Sequence, residues 1–214
     1  MHTLLIVNSS PRSNSVSRRL TSHIAEEWAA HNPDGRIIER DLAAEPLPFL
    51  TESWIQASAT PAARQTAEQR QALALSDALI EELMTADVIV LGVPMHNFSI
   101  PASLKAWFDL ITRAGKTFSY GERGPQGLIP TEKQVVAIVS RGGSYGEGTP
   151  ASAADFQVPY LRHMLGFVGL KNVTVIEADK QAFGSDVAER AVEAAVKKLS
   201  ALTESYSSQL GSTA

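Results

Sequence analysis

Five short runs of this chain read as strands from their apolar residues: Thr3–Val7 (TLLIV), Arg36–Asp41 (RIIERD), Asp87–Val93 (DVIVLGV), Gln134–Ser140 (QVVAIVS) and Asn172–Ala178 (NVTVIEA). A strand with one wet face alternates apolar and polar residues. Three of these runs are too uniformly apolar for that, which predicts strands inside a sheet covered on both sides. Between them the apolar period changes to that of a helix. Leu20, Ile24 and Trp28 share one face, Leu75, Leu79, Ile80 and Leu83 a second, and Leu104, Trp107, Phe108 and Ile111 a third. Val187, Ala191, Ala195 and Leu199, each four apart, mark a closing helix. Strand and helix alternate five times, which predicts a doubly wound α/β parallel sheet with right-handed crossovers and helices on both faces. No internal repeat or low-complexity linker divides the chain, so residues 1–214 are expected to form a single domain.

Two stretches exceed a minimal version of that fold. The connection from Leu42 to Arg64 carries three prolines and the apolar residues Leu47, Phe49, Leu50 and Trp54. It is longer than compact α/β units use, and it is expected either to pack on its own core or to serve as a lid or subunit contact. Residues Thr117–Leu128 (TFSYGERGPQGL) have the glycine and proline punctuation of a hairpin, with two aromatics.

Composition removes several function classes. A net charge of −4 lacks the basic footprint that a nucleic-acid backbone requires. The absence of cysteine excludes disulfides, thiol catalysis and thiolate metal sites, so any redox chemistry must be borrowed from a cofactor. No metal site is expected. No run approaches the ~18 apolar residues of a membrane span, and the start carries no basic leader, so a cytoplasmic protein is expected.

Open parallel sheets bind ligands outside the carboxyl ends of their strands, where strand order reverses. Three such ends carry candidate chemistry. After the first strand comes NSSPRSNSVS, with Ser9, Ser10, Ser13, Ser15 and Ser17, and with neither a dinucleotide glycine fingerprint nor a P-loop lysine. Hydroxyls and free N–H groups at a helix start suit a terminal phosphate, although serine is also an ordinary N-cap and turn residue. After the third strand, Pro94 stops the run, Ser99 is a candidate cap and Pro101 suits a first helical turn, leaving Met95–Phe98 as a stiff loop. Met95 and Phe98 could equally be core plugs, and His96 a surface histidine. Lys105, Asp109 and Arg113 form a charge ladder at spacings of four. After the fourth strand, Gly142 and Gly143 permit close approach of backbone to a ligand, or simply a turn.

Taken in order, NSSPR…SVS, PMHNFSIPASLKAWFDLITRAGKTFSY and SRGG, together with ALALSD and PYLRHMLGFVGL, resemble the FMN-dependent NAD(P)H azoreductase/quinone reductase family, and the likeness runs over almost the whole chain. That resemblance implies a flavodoxin-like five-stranded sheet of order 2-1-3-4-5. It implies an FMN phosphate held by Ser10 and Ser15, Val16 and Ser17, and a flavin ring cradled by Pro94, Met95, His96, Asn97 and Phe98 on one side and Ser140, Arg141, Gly142 and Gly143 on the other. It further implies NADH or NADPH as electron donor, quinones and aromatic azo compounds as acceptors, and a homodimer whose partner completes each site. Phe118, Tyr120, His96 and Tyr145 are the expected substrate contacts, Phe118 and Tyr120 as an aromatic wall for flat acceptors or else as loop anchors. No residue is expected to act as nucleophile. Many relatives carry Tyr where this chain has His96, which bears on substrate range and on the electrostatics at the ring edge. A flavodoxin-type electron carrier would share the phosphate loop but needs no second-substrate site, and a phosphoacceptor receiver domain would want an aspartate where Val93 and Pro94 stand.

Overall fold

The computed structural model describes residues 2–122 and 124–211, with side chains described as far as residue 206. Five parallel strands, β1 (Thr3–Asn8), β2 (Arg36–Asp41), β3 (Val88–Pro94), β6 (Gln134–Ser140) and β7 (Asn172–Ala178), form one sheet in the order β2-β1-β3-β6-β7. Counted among themselves these strands run 2-1-3-4-5, as the resemblance implied. Leu4 lies beside Val88, Val90 beside Val136 and Ile138 beside Ile176, so apolar residues meet across the whole sheet.

The uniform apolarity of the central strands has a direct structural cause. Leu5 and Val7 enter one core, with α3 (Ala67–Thr85), α4 (Ala102–Ile111) and α5 (Val158–Val168). Leu4 and Ile6 enter the other, with α1 (Val16–His31) and α6 (Ser185–Gly211). Successive strand residues point to opposite faces, and here both faces are covered. Each fully buried aliphatic side chain contributes roughly 1.5–3 kcal/mol relative to exposure.

Local signals set the helix ends. Ser15 caps α1 by accepting from Arg18 N, and Thr66 and Gln69 form a reciprocal capping box on α3. The end of α3 is finished from a distance: buried Lys133 donates to the carbonyls of Met84 and Ala86 at 2.7 and 2.5 Å. Helix α5 stops at Gly169, whose φ of 109° is the left-handed conformation of a terminating glycine.

Several expectations need correction. The Leu42–Arg64 connection contains a helix, α2 (Glu52–Ala59), capped by Thr51. Its Ala57 is fully buried, Leu47 and Trp54 pack against the larger core, and Phe49 and Ile55 face outward. On α3 the inward stripe runs through Leu73, Ser76, Ile80 and Leu83 together with Leu79, and Leu75 is exposed. Leu75 sits about 200° around the helix from Leu73, which starts the stripe. On α6 the buried positions among the described side chains are Val192, Ala195, Leu199, Thr203 and Tyr206, with Val187 and Ala191 only partly covered. Ser99 does not cap α4, whose cap position is Pro101. Arg113 pairs with Asp77 at 2.5 Å, so the ladder holds only between Lys105 and Asp109.

The hairpin over Thr117–Leu128 is present as antiparallel strands β4 (Phe118–Gly121) and β5 (Gly124–Gly127). It sits directly on the end of α5. A Cβ on Gly127 would lie 2.1 Å from the backbone nitrogen of Gly169, and Ile129 N donates to Val168 O. Only backbone without a side chain fits at that contact.

Candidate functional site

A cleft of about 410 Å³ opens at the carboxyl ends of β1, β3, β6 and β7, beside the reversal of strand order between β1 and β3. The β1–α1 loop supplies Ser10, Arg12, Asn14, Ser15 and Val16, and the β3 end supplies Pro94, Met95 and His96. Ser140, Arg141 and Gly142 follow β6, and Gln181 and Ala182 follow β7. Arg12 and no carboxylate are among these lining residues, so the cleft suits an anion; the guanidinium of Arg141 is taken up by carboxylates behind the lining.

The serine loop is held in place by hydrogen bonds to its neighbours. Ser9 donates through N and Oγ to Gly92 O, at 3.1 and 2.7 Å, which fastens the loop to the end of β3. Ser15 Oγ lies 3.3 Å from Ser17 Oγ, and Ser10, Ser15 and Ser17 are all buried. Ser15 engages the N–H groups of Arg18 and Arg19. Those of Val16 and Ser17 remain without a partner among the described residues, at the positive end of α1.

Arg18 does not serve the cleft. Its guanidinium bonds the Asp41 carboxylate and the Ser10 carbonyl, tying the loop to the end of β2. The hydrogen bonds from Arg18 and then the N–H groups of Ala43 and Ala44 outweigh burial and lower the Asp41 carboxyl to about 2. Arg12, by contrast, is exposed on the cleft wall, and its guanidinium has no hydrogen bond or ion pair to a described residue.

The β3 loop closes on itself. His96 and Ser99 exchange both backbone hydrogen bonds, at 2.9 and 3.1 Å, around Asn97 and Phe98 at φ 47° and 71°. Both values lie in the left-handed region, which asparagine tolerates and a bulky aromatic rarely adopts. Met95 N donates to Ser140 O, joining this loop to the β6 end. Phe98 is half-exposed and stands edge-on to Tyr145, with ring centroids 6.2 Å apart.

Arg141 is a buried clasp. Its guanidinium is fully enclosed and meets Asp155 at 3.1 Å, Glu177 at 2.5 Å and Asp179 at 2.5 and 3.0 Å. Burial lowers its proton affinity, but the bonds to Asp179 and Glu177 prevail and raise it overall. Gln181 N donates to Arg141 O, Ala182 N to Gly142 O and Lys180 N to Gly143 O, so the β6 and β7 loops are laced together. Gly143 leaves room for Tyr145, whose ring would lie 3.1 Å from a Cβ there.

Most of the expected cofactor residues therefore line one cleft: Ser10, Ser15, Val16, Pro94, Met95, His96, Ser140, Arg141 and Gly142. Ser17 lies behind Ser15, and Asn97, Phe98 and Gly143 stand just outside the lining. Phe118 and Tyr120 are on the hairpin and do not line it. Phe118 is buried 4.8 Å from Phe167, and Tyr120 is exposed. Gln181 and Ala182 were not anticipated, although the rule that ligands gather at carboxyl strand ends pointed equally to the loop after β7.

A family profile described as flavodoxin-like fold matches residues 2–202. The chain is 47% identical over 193 residues to an FMN-dependent NADH:quinone oxidoreductase of Herminiimonas arsenicoxydans, covering 90% of this chain and 94% of that one. It is 44% identical over 209 residues to the protein of that name from Hyphomonas neptunium, covering 97% and 98%. Among solved structures, the azoreductase from Bacillus anthracis str. Sterne superposes with a TM-score of 0.86 at 30% identity, covering 95% of this chain and 99% of that one.

Proposed function

The chain belongs to the flavodoxin-like family of FMN-dependent NADH:quinone oxidoreductases, and from that premise we propose that its cleft holds FMN and that it reduces quinones and cleaves aromatic azo compounds with electrons from NADH or NADPH. We propose further that residues 1–214 act as one domain and that the working unit is a cytoplasmic homodimer. Among the described residues no helix is long and apolar enough to cross a membrane.

The observation that carries this reading is the pairing of buried hydroxyls with unpartnered N–H groups at the start of α1, in a cleft lined by no carboxylate. Ser10 and Ser15, with the N–H groups of Val16 and Ser17, would bind the phosphate, and Ser17 would orient Ser15. The loops of Pro94–Phe98 and Ser140–Gly143 would flank the flavin ring. The N–H groups of Asn97, Phe98, Gly142 and Gly143 have no partner among the described residues and are available to stabilise negative charge at its edges. FMN, when bound, supplies two-electron hydride chemistry.

The chain's remaining task is to admit two substrates. With the sheet edge and loops covering one side of the cleft, donor and acceptor would use the other side in turn, the nicotinamide leaving before the acceptor enters. An azo bond cleaved to two amines takes four electrons and so two donor equivalents. His96, which lines the cleft, and Tyr145, which lies outside that lining and edge-on to Phe98, would contact substrate. Phe118 and Tyr120 lie outside their own chain's cleft, which favours a role in completing the partner's site, with Phe118 anchoring the hairpin beneath exposed Tyr120.

The test is direct. Protein incubated with FMN and desalted should retain flavin absorbance and sustain repeated turnover of NADH when a quinone is supplied. Absence of bound flavin, or of quinone-dependent oxidation, would refute the reading.

A further inference from the structure

We propose that Gln157, acting with Asp155, is a positioning residue of the flavin cleft, the inference resting on the function proposed above. Residues 155–157 precede α5 and lie outside the cleft lining, yet they grip both of its central loops. Gln157 is fully buried, and its Nε2 donates to Val93 O at 3.0 Å, just before the β3 loop begins. Phe156 N donates to Phe98 O at 3.0 Å, and Ser99 Oγ to Phe156 O at 3.4 Å, where that loop ends. Asp155 meets Arg141 of the β6 loop through Oδ2. Three consecutive residues thus hold the start and finish of one loop and the anchor of the other.

The side chain of Gln157 has no comparable purpose in folding. Although Gln157 occupies the cap position of α5, its side chain does not cap the helix; Asp155 Oδ1 accepts from the N–H groups of Gln157 and Val158 instead, at 2.9 and 3.0 Å. Gln157 Oε1 is buried without a partner among the described residues. An amide that satisfies one atom and strands the other gains little for stability alone, since an apolar side chain of similar shape would lose the bond to Val93 O but avoid the stranded acceptor, and the two effects offset. What the amide secures is the turn, where Asn97 and Phe98 are held at positive φ. Such backbone persists only where its surroundings over-determine it.

Gln157→Met keeps the shape and removes the donor to Val93. We expect it to melt no lower than the wild type, while in flavin-free protein the amides of residues 95–99 exchange about tenfold faster than before and FMN affinity falls roughly five- to tenfold, the loss of about one hydrogen bond. Gln157→Glu should recover affinity as pH falls, because only the protonated carboxyl donates to Val93 O, a pH profile absent from the wild type and from Gln157→Met. A purely structural role predicts the opposite pattern: a lower melting temperature, exchange raised throughout and FMN affinity unchanged. That pattern, or unchanged exchange at residues 95–99, overturns the proposal. Failure of wild-type protein to bind FMN would instead refute the functional reading, and the exchange comparison in flavin-free protein would still decide whether the clamp exists.

Discussion

Arg18 bonds the Asp41 carboxylate through both terminal nitrogens, at 2.8 and 2.7 Å, and with Nε and Nη2 it also reaches the Ser10 carbonyl. One guanidinium joins the end of β2 to the serine loop. Because the Asp41 carboxyl is lowered from 3.8 to about 2, its contribution is complete above about pH 5 and is lost as pH falls through about 2. Melting temperatures of the wild type and Asp41→Asn, compared in steps from pH 5 to pH 2, should converge at the acid end. A constant gap across the range would show that Asp41 acts by packing alone.

Replacing Ser10, Ser15 and Ser17 together by Ala should release the flavin. Hydrogen bonds to a charged phosphate are worth roughly 1.5–3 kcal/mol each, so losing those of Ser10 and Ser15 should lower affinity by at least about a hundredfold. The loss of Ser15 as N-cap costs about 1 kcal/mol on its own, and circular dichroism of the triple variant checks that the fold survives. Retention of FMN through gel filtration would contradict the assignment.

Phe49 is 75% exposed and Ile55 53% exposed, with Leu50 exposed beside them, on a segment whose Leu42, Leu47 and Trp54 pack inward. A two-fold partner would cover them. Sedimentation at micromolar concentration should give twice the chain mass, and Phe49→Glu with Ile55→Glu should shift it to monomer with loss of quinone reduction. A wild-type monomer with full activity would defeat the dimer.

Initial rates over a grid of NADH and quinone concentrations should give parallel double-reciprocal lines, and NADH alone under anaerobic conditions should bleach the visible absorbance. Complete cleavage of an azo dye should consume two equivalents of NADH. Intersecting lines would mean that both substrates occupy the cleft together.

The three central strands β1, β3 and β6 were legible because both their faces are buried, which leaves runs such as DVIVLGV no polar alternation to obscure them. The short helix α2 was hidden because only Ala57 on it is fully buried, so an eight-residue segment shows no apolar stripe. Leu75 misled for a related reason: α3 carries enough leucines that several phases look possible, and which one wins depends on the surface beneath. At the cleft, Ser10, Ser15 and the Met95 loop were readable because each follows a strand directly. Arg18, Asp41 and Gln157 were not, since each depends on a partner remote in sequence, Arg18 and Asp41 across 23 positions and Gln157 across 64 to Val93. Only the fold creates those partnerships.

The cleft is lined by segments near residues 10–16, 94–96, 140–142 and 181–182, each following a different strand. No partly folded chain that lacks one of those strands presents the complete surface. A ligand that needs all four segments therefore binds only the finished sheet, and its free concentration becomes a term in the folding equilibrium. At a concentration 100 times its Kd, such a ligand adds about 2.7 kcal/mol to stability. Supply of the small molecule would thus govern how much of this chain survives in its working form, as well as how much of it is active.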